Sequence, residues 1–335
     1  MIRLGAVLER LLRRRSVQLR VVAAGPLRLW ARELRRHTAE WRQEAVDVGV
    51  VEGPDQAVDL AATSAALAKA EKLRVRQVEH EVSWLRKGAD LVLADVPPVA
   101  VEAAAAAGVE CVALANFSWD WIYSELGFEQ AAAAAARSYQ HASLLLEAAP
   151  AAPMPAFSRR IQVGLIARPP HTRRYDARAS LGIKLAERLV AVVVRPPFGA
   201  SLRLPPPMVD VRFALAGTPA AAARPDVLRW PAERDLLDLV CAADAVVAKP
   251  GYGIIGDVVA AGTRLLYWRE SNFPEHRVLV RWLEGRPAAR AVERGRLVSG
   301  DWGEELVELL CEPRPEPLEP EGTERAAAAL AARFD

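Results

Sequence analysis

The feature that most constrains this chain is an alternation that occurs twice. Short apolar or β-branched runs, "LRVVAA" around Val21, "AVDVGVV" around Val48, "DLVLAD" around Val92 and "ECVALAN" around Val112, are separated by longer stretches with helical spacing. A second series follows residue 155: "RLVAVVVR" around Val192, "VDVRFALAG" around Phe213, "DVLRW" around Leu228, "ADAVVAKPG" around Val246 and "TRLLYW" around Leu265. Strands that alternate with helices are joined by crossovers, and the resulting parallel sheets are covered by helices on both faces. The chain therefore reads as α/β, with two βα arrays in 335 residues, a length that suits two domains of about 150 residues each.

Proline places the boundaries. The connector in "LLLEAAPAAPMPAFSRR" separates an N-terminal domain, 1–150, from a C-terminal domain, 155–312. A second cluster, "EPRPEPLEPEG", opens a tail, 313–335, whose helix "TERAAAALAARF" has Thr323 as its expected N-cap and is expected to pack back on the first domain. Between the first strands, the long pattern from Ala57 stops at Gly88, a helix-ending residue. The alanine-rich "AAAAAARSYQHASLLL" reads as a helix, since alanine is the best helix former.

Composition excludes some classes. A net charge of +2 gives no global attraction for nucleic acid or a membrane surface. The local crowding of Arg10, Arg13, Arg14, Arg15 and Arg20 fits a solvated helix face or an anionic contact. Three widely spaced cysteines, Cys111, Cys241 and Cys311, form neither a disulfide framework nor a C-x-x-C metal motif, so a cytoplasmic location and no bound metal are expected. No run approaches the roughly 20 apolar residues of a membrane span, and the first residues lack the pattern of a signal peptide. A monomer or a homodimer is expected.

The candidate chemistry centres on Lys249-Pro250-Gly251-Tyr252-Gly253, a strand-to-helix loop. Glycines there let backbone N–H groups approach an anion, and the helix N-terminus adds positive potential. No G-K-[ST] follows, and the spacing Gly251, Gly253, Gly256 lacks the acidic strand-end residue about twenty positions on that a dinucleotide fold has, so a plain turn fits the glycines as well. Asp257 lies about a turn and a half into the helix, where a carboxylate either accepts from vicinal hydroxyls or answers the helix dipole. "RESNFPEHR" follows the next strand, and its Glu275 and His276 are placed to meet sugar hydroxyls. In the first domain Asp95 ends a strand, and Asn116, Ser118 and Asp120 follow the next, interleaved with Phe117, Trp119, Trp121 and Tyr123. Such aromatics stack on sugar rings or seal a core between domains.

"DVGVV" (Asp47 to Val51), "DVPPVAVEAAAAAGV", "NFSWDWIY" and "AKPGYGIIGDVVAAGTRLLYWRESNFPEH" resemble bacterial GT-B glycosyltransferase-like proteins related to the N-terminal region of L-arabinokinase. The second half is more distantly similar to the UDP-N-acetylglucosamine transferases of peptidoglycan synthesis. The resemblance implies two Rossmann-like domains facing across a cleft, with a nucleotide sugar, expected to be UDP-linked, as donor substrate. It places Gly251, Tyr252 and Gly253, with Lys249 and Gly199, at the diphosphate, Asp257 at the ribose and Glu275 near the donor sugar. Asn116, Ser118 and Trp119 fall on the acceptor side, with His276, Asp95 and Asp120 as the catalytic candidates for an unknown hydroxyl acceptor.

Two departures accompany it. Relatives open with a strand and a G-H-G-x-G-H-x-x-R loop, whereas this chain reads as already helical at Met1 to Gly5, so the first domain lacks its usual first strand and the loop's candidate base histidine. A lost central strand exposes sheet edges that must be covered. His37, His80 and His141 are expected in helices, and His171 and His276 in loops. After the second domain's first strand, Pro196 and Pro197 remove two N–H donors, leaving Gly199, Ala200 and Ser201. The expected function is transfer of a hexose-type sugar, or, failing that, nucleotide-sugar binding without turnover. A sugar-kinase reading has no Gly/Ser-rich phosphate loop to support it.

Overall fold

A computed structural model describes residues 2–25, 27, 32–54, 56–194, 198–217, 224–231 and 233–334. The chain divides into two compact units, one of residues 1–51, 58–166 and 321–335, the other of residues 52–57 and 167–320.

The first unit runs α1 (Ile2–Leu12), β1 (Leu19–Ala23), α2 (Arg32–Arg36), β2 (Thr38–Gln43), α3 (Leu60–Leu85), β3 (Leu91–Ala94), α4 (Pro98–Ala107), β4 (Glu110–Ala115), α5 (Trp119–Glu125), α6 (Glu129–Tyr139), β5 (Leu144–Ala148) and β6 (Arg160–Gly164). β3, β4, β5 and β6 pair in that order as a parallel sheet. β1 and β2 form a separate parallel pair. Among the described residues no strand joins β1 to β3. The strands of the first unit thus form two sheets. The pair is tied on by side chains. The guanidiniums of Arg20 (β1) and Arg42 (β2) lie 4.2 and 4.7 Å from the Trp84 ring centre, and Arg20 also donates to Trp84 O at 3.0 Å. Trp84, Val101, Ala113, Tyr139 and Leu145 share one core.

Several expectations shift here. "AVDVGVV" is a loop rather than a strand, because Gly49 sits at φ +63°, a left-handed conformation that glycine enters without penalty and that ends a strand. His37 and His141 lie in turns rather than helices. β6 extends the first sheet, so the first unit runs on to Ile166, one strand past the 150–155 connector. The last helix, α14 (Gly322–Ala331), packs against α1 and β6 within this unit. Its N-cap is Glu321, not Thr323. A side chain on Gly322 would overlap Leu165 O, so only glycine fits at this entry to the helix.

The second unit runs α7 (Arg174–Ser180), β7 (Arg188–Val193), α8 (Phe198–Ser201), β8 (Val211–Ala216), β9 (Val227–Arg229), α9 (Leu236–Ala242), β10 (Ala245–Ala248), α10 (Tyr252–Ala261), β11 (Arg264–Tyr267), α11 (Pro274–Leu283), β12 (Ala289–Ala291), α12 (Arg294–Ser299) and α13 (Gly303–Cys311). Its six parallel strands are ordered β12-β11-β10-β7-β8-β9. β7, β10 and β11 read as near-continuous apolar runs because helices cover both faces, and β10 is buried at every residue. No helix among the described residues is long and apolar enough to cross a membrane.

Candidate functional site

In the second unit, β7 and β10 are neighbours, yet the chain leaves β7 toward β8 and leaves β10 toward β11. That reversal is a topological switch point, and open α/β sheets bind ligands in the crevice outside the strand carboxyl ends there. The loop leaving β10 is Lys249–Gly251. The loop leaving β7, with Pro196 and Pro197, lies outside the described residues; Gly199 beyond it is buried in α8.

Gly251 is the N-cap of α10 in extended conformation, φ −146°, so its value is its missing side chain rather than an unusual backbone. The first helical bond runs from Ile255 N–H to Gly251 O at 3.0 Å. The N–H groups ahead of it are aligned along the helix axis, the arrangement that favours an anion. Gly253 is exposed, and a Cβ there would have no atom within 4 Å, so the space over the first turn is open. Tyr252 is half-buried beside it.

The charged groups around this loop are more committed than the sequence suggested. Lys249 Nζ donates to Glu52 Oε1 at 3.1 Å and to Gln56 O at 3.2 Å, so its charge is already answered. Asp257 is only 3% exposed. Burial pushes its carboxyl up to about 6, with Arg168 pulling it down and Asp235 pushing it further up. Arg168 itself grips the Asp235 carboxylate through two nitrogens. Arg269 is exposed and paired to Glu284 at 3.3 Å.

His276 is not in a loop but in the first turn of α11, at 2% exposure. Its Nε2 lies 3.0 Å from Trp268 O, and since a carbonyl only accepts, this nitrogen carries the proton. Burial pushes the ring down to about 4, so it is neutral at pH 7. A ring so enclosed and so committed positions the loop after β11 and is poorly placed to take a proton from a substrate. Its neighbour Glu275 is half-buried in the same turn.

The first unit gathers its candidates at the carboxyl ends of β3 and β4. Arg3, in the first turn of α1, donates to both Asp95 Oδ1 and Asn116 Oδ1. Burial pushes the Asp95 carboxyl up, and the Arg3 guanidinium outweighs it, leaving it below the usual carboxylate range. Asp120 is 6% exposed in the first turn of α5, and burial raises its carboxyl. Ser118 is fully buried ahead of it.

Trp119 is fixed on three sides. Its Nε1 donates to Asp47 Oδ2, its ring stacks on Tyr123 with centroids 5.3 Å apart, and its backbone N–H donates to Tyr139 Oη at 3.3 Å. Gly49 lies under it, where a Cβ would come within 3.3 Å of the indole. Asp47 was named in the sequence only as part of a resemblance; an Asp two residues before a Gly is itself a turn signal that could have singled it out. Burial pushes its carboxyl up to about 6, against hydrogen bonds from Gly49 and Trp119. Asp47 and Tyr123 line a cavity of about 1020 Å³ between α3 and α4 to α6.

One group of possible metal ligands occurs among the described residues, Glu44, His80 and Glu81. Arg42 donates to both of its carboxylates.

No family model matches the chain. It is 29% identical over 294 residues to L-arabinokinase of Arabidopsis thaliana, covering 84% of this chain and 28% of that protein. The chain therefore spans little more than a quarter of its curated relative. Among solved structures it superposes on UGT89C1 of Arabidopsis thaliana at a TM-score of 0.64, with 13% identity and coverage of 99% and 96%. It superposes on CalG4, the calicheamicin glycosyltransferase, at 0.61, with 14% identity and coverage of 99% and 93%. By these likenesses the chain has the GT-B fold of two Rossmann-like domains.

Proposed function

We propose that the protein transfers a hexose-type sugar from a UDP-linked donor to a hydroxyl acceptor, without a metal ion. The observation that carries this reading is the Lys249–Gly253 loop: it sits at the β7/β10 switch point, leads into the N-terminus of a ten-residue helix, and leaves open space over Gly253. In this reading the α10 N–H groups and Gly199 receive the diphosphate, Asp257 accepts from the ribose and Glu275 from the donor sugar. Asp95, Asn116, Ser118, Trp119 and Asp120 belong to the acceptor side. Aligned backbone N–H groups can stabilise a departing diphosphate in place of a metal. The three cysteines are unpaired, which supports a reducing, cytoplasmic setting.

A second reading, nucleotide-sugar binding without turnover, is favoured by His276, whose burial removes the best-placed histidine from proton transfer. Thermal shift with UDP, UDP-glucose and UDP-N-acetylglucosamine tests both, since a ligand bound to the native state alone raises the melting temperature. No shift with any of them refutes both readings; a shift with no hydrolysis or transfer selects the second.

A further inference from the structure

The cavity between α3 and α4 to α6 is not used by anything assigned to the donor loop. Its volume, about 1020 Å³, is at the upper end of what small-molecule sites enclose. Nearly half of its lining residues are alanine, valine, Tyr123 and Phe128. The wall carries three carboxylates, Asp47, Glu71 and Glu129, and three cations, Lys72, Arg74 and Arg137, so its formal charges cancel. A neutral occupant is therefore favoured over an ionic one.

The polar contact is set by Asp47. One of its oxygens accepts from Trp119 Nε1 and the other from Gly49 N–H at 3.3 Å, which fixes the carboxyl against the cavity wall. Each carboxylate oxygen has a further lone pair, and a carboxylate only accepts. Whatever meets it must donate. An alcohol or a phenol is a neutral donor with an apolar body.

We infer that this cavity binds a neutral ring alcohol whose hydroxyl donates to the Asp47 carboxylate while its ring packs on Tyr123, Phe128 and the alanine face of α6. The occupancy of the cavity stands on the first unit alone; the ligand's role as sugar acceptor rests on the transferase reading. The raised carboxyl of Asp47 fits the same site, since a buried carboxylate gains most from a donor that replaces lost water.

The probes are 2-naphthol and 2-methoxynaphthalene, which share a ring system and differ in the donor, titrated calorimetrically into the full chain. The expected result is saturable 1:1 binding of 2-naphthol, about tenfold or more tighter than its methyl ether, the usual worth of a hydrogen bond to a charged group. Asp47→Asn should cut the preference to a few-fold at most, because it removes the charge and one of the two acceptor oxygens. Ala134→Trp, which fills the cavity from α6, should abolish binding of both probes while the melting temperature stays. The inference is overturned if folded wild type shows no saturable naphthol binding, if the ether binds as well as the alcohol, or if Ala134→Trp binds unchanged. Should Asp47→Asn fail to fold, the ether comparison and Ala134→Trp still decide; Ala131→Phe replaces the latter if needed. UDP binding on the same samples separates the two claims: UDP without naphthol sinks the cavity, and naphthol without UDP sinks the donor reading.

Discussion

The Tyr139 hydroxyl donates to Val96 O at 2.6 Å, and both residues are buried. Val96 has φ +71°, a left-handed conformation that is strained for a β-branched residue and persists only when its surroundings hold it. It directly follows Asp95, so the bond sets where that carboxylate leaves the sheet. Tyr139→Phe removes the donor and leaves a buried carbonyl unmatched, which should destabilise the first unit by about 1–3 kcal/mol. Urea denaturation followed by tryptophan fluorescence checks this. An unchanged midpoint would mean that the strained turn holds itself.

Asp257 gives a pH prediction. Its folded carboxyl is raised to about 6 from the ordinary 3.8. Between those values the unfolded chain has released the proton and the folded one retains it, so stability falls as pH rises from about 4 to about 6 and is level above. A shift of this size corresponds to roughly 3 kcal/mol. Asp257→Asn should therefore stabilise the protein at pH 7 by up to about 3 kcal/mol, have little effect at pH 4, and weaken UDP binding. Denaturation midpoints across pH 4–8 test the first part; a slope that survives the substitution would place the titration elsewhere.

How much of this could be read beforehand differs between the units. The second was legible because its strands are buried on both faces, so their apolar runs are continuous and the glycine-bearing loop falls at a strand end; the order β7, β8, β9, then β10 back beside β7, was not, since strand order depends on pairing between distant segments. In the first unit the candidate residues Asp95, Asn116 and Trp119 could be named, but not their partners. Arg3 reaches Asp95 across 92 positions and Asp47 meets Trp119 across 72, separations that carry no periodic signal. Burial also changed roles: His276 and Lys249 read as available in sequence, and in the fold one is enclosed while the other is paired.

Gly262 is the C-cap of α10 at φ +59°, and the proline-rich segment passes so closely that a Cβ would lie 2.5 Å from Pro315 O. Arg314 fastens that segment by donating to Ala243 O at 2.8 Å and Ala261 O at 3.1 Å. Gly262→Ala meets both a left-handed conformation, about 1–2 kcal/mol for a residue with a Cβ, and a backbone overlap that adds to it. The segment should lift, making residues 312–320 a site of rapid limited proteolysis. Cleavage no faster than in wild type would show that α10 shifts instead.

Gly253 separates folding from binding. A side chain there meets nothing within 4 Å, so Gly253→Val should fold with a melting temperature close to wild type, the helix even gaining slightly because glycine is the poorer helix former. The same open space is where a diphosphate must approach the α10 N–H groups, and two methyls would stand in its way. UDP affinity measured calorimetrically should fall about tenfold or more, the scale of a lost charged hydrogen bond. Because the variant's fold is not at risk, an unchanged affinity would have one meaning: the ligand, if there is one, does not sit on this helix, and the Lys249–Gly253 loop is a turn.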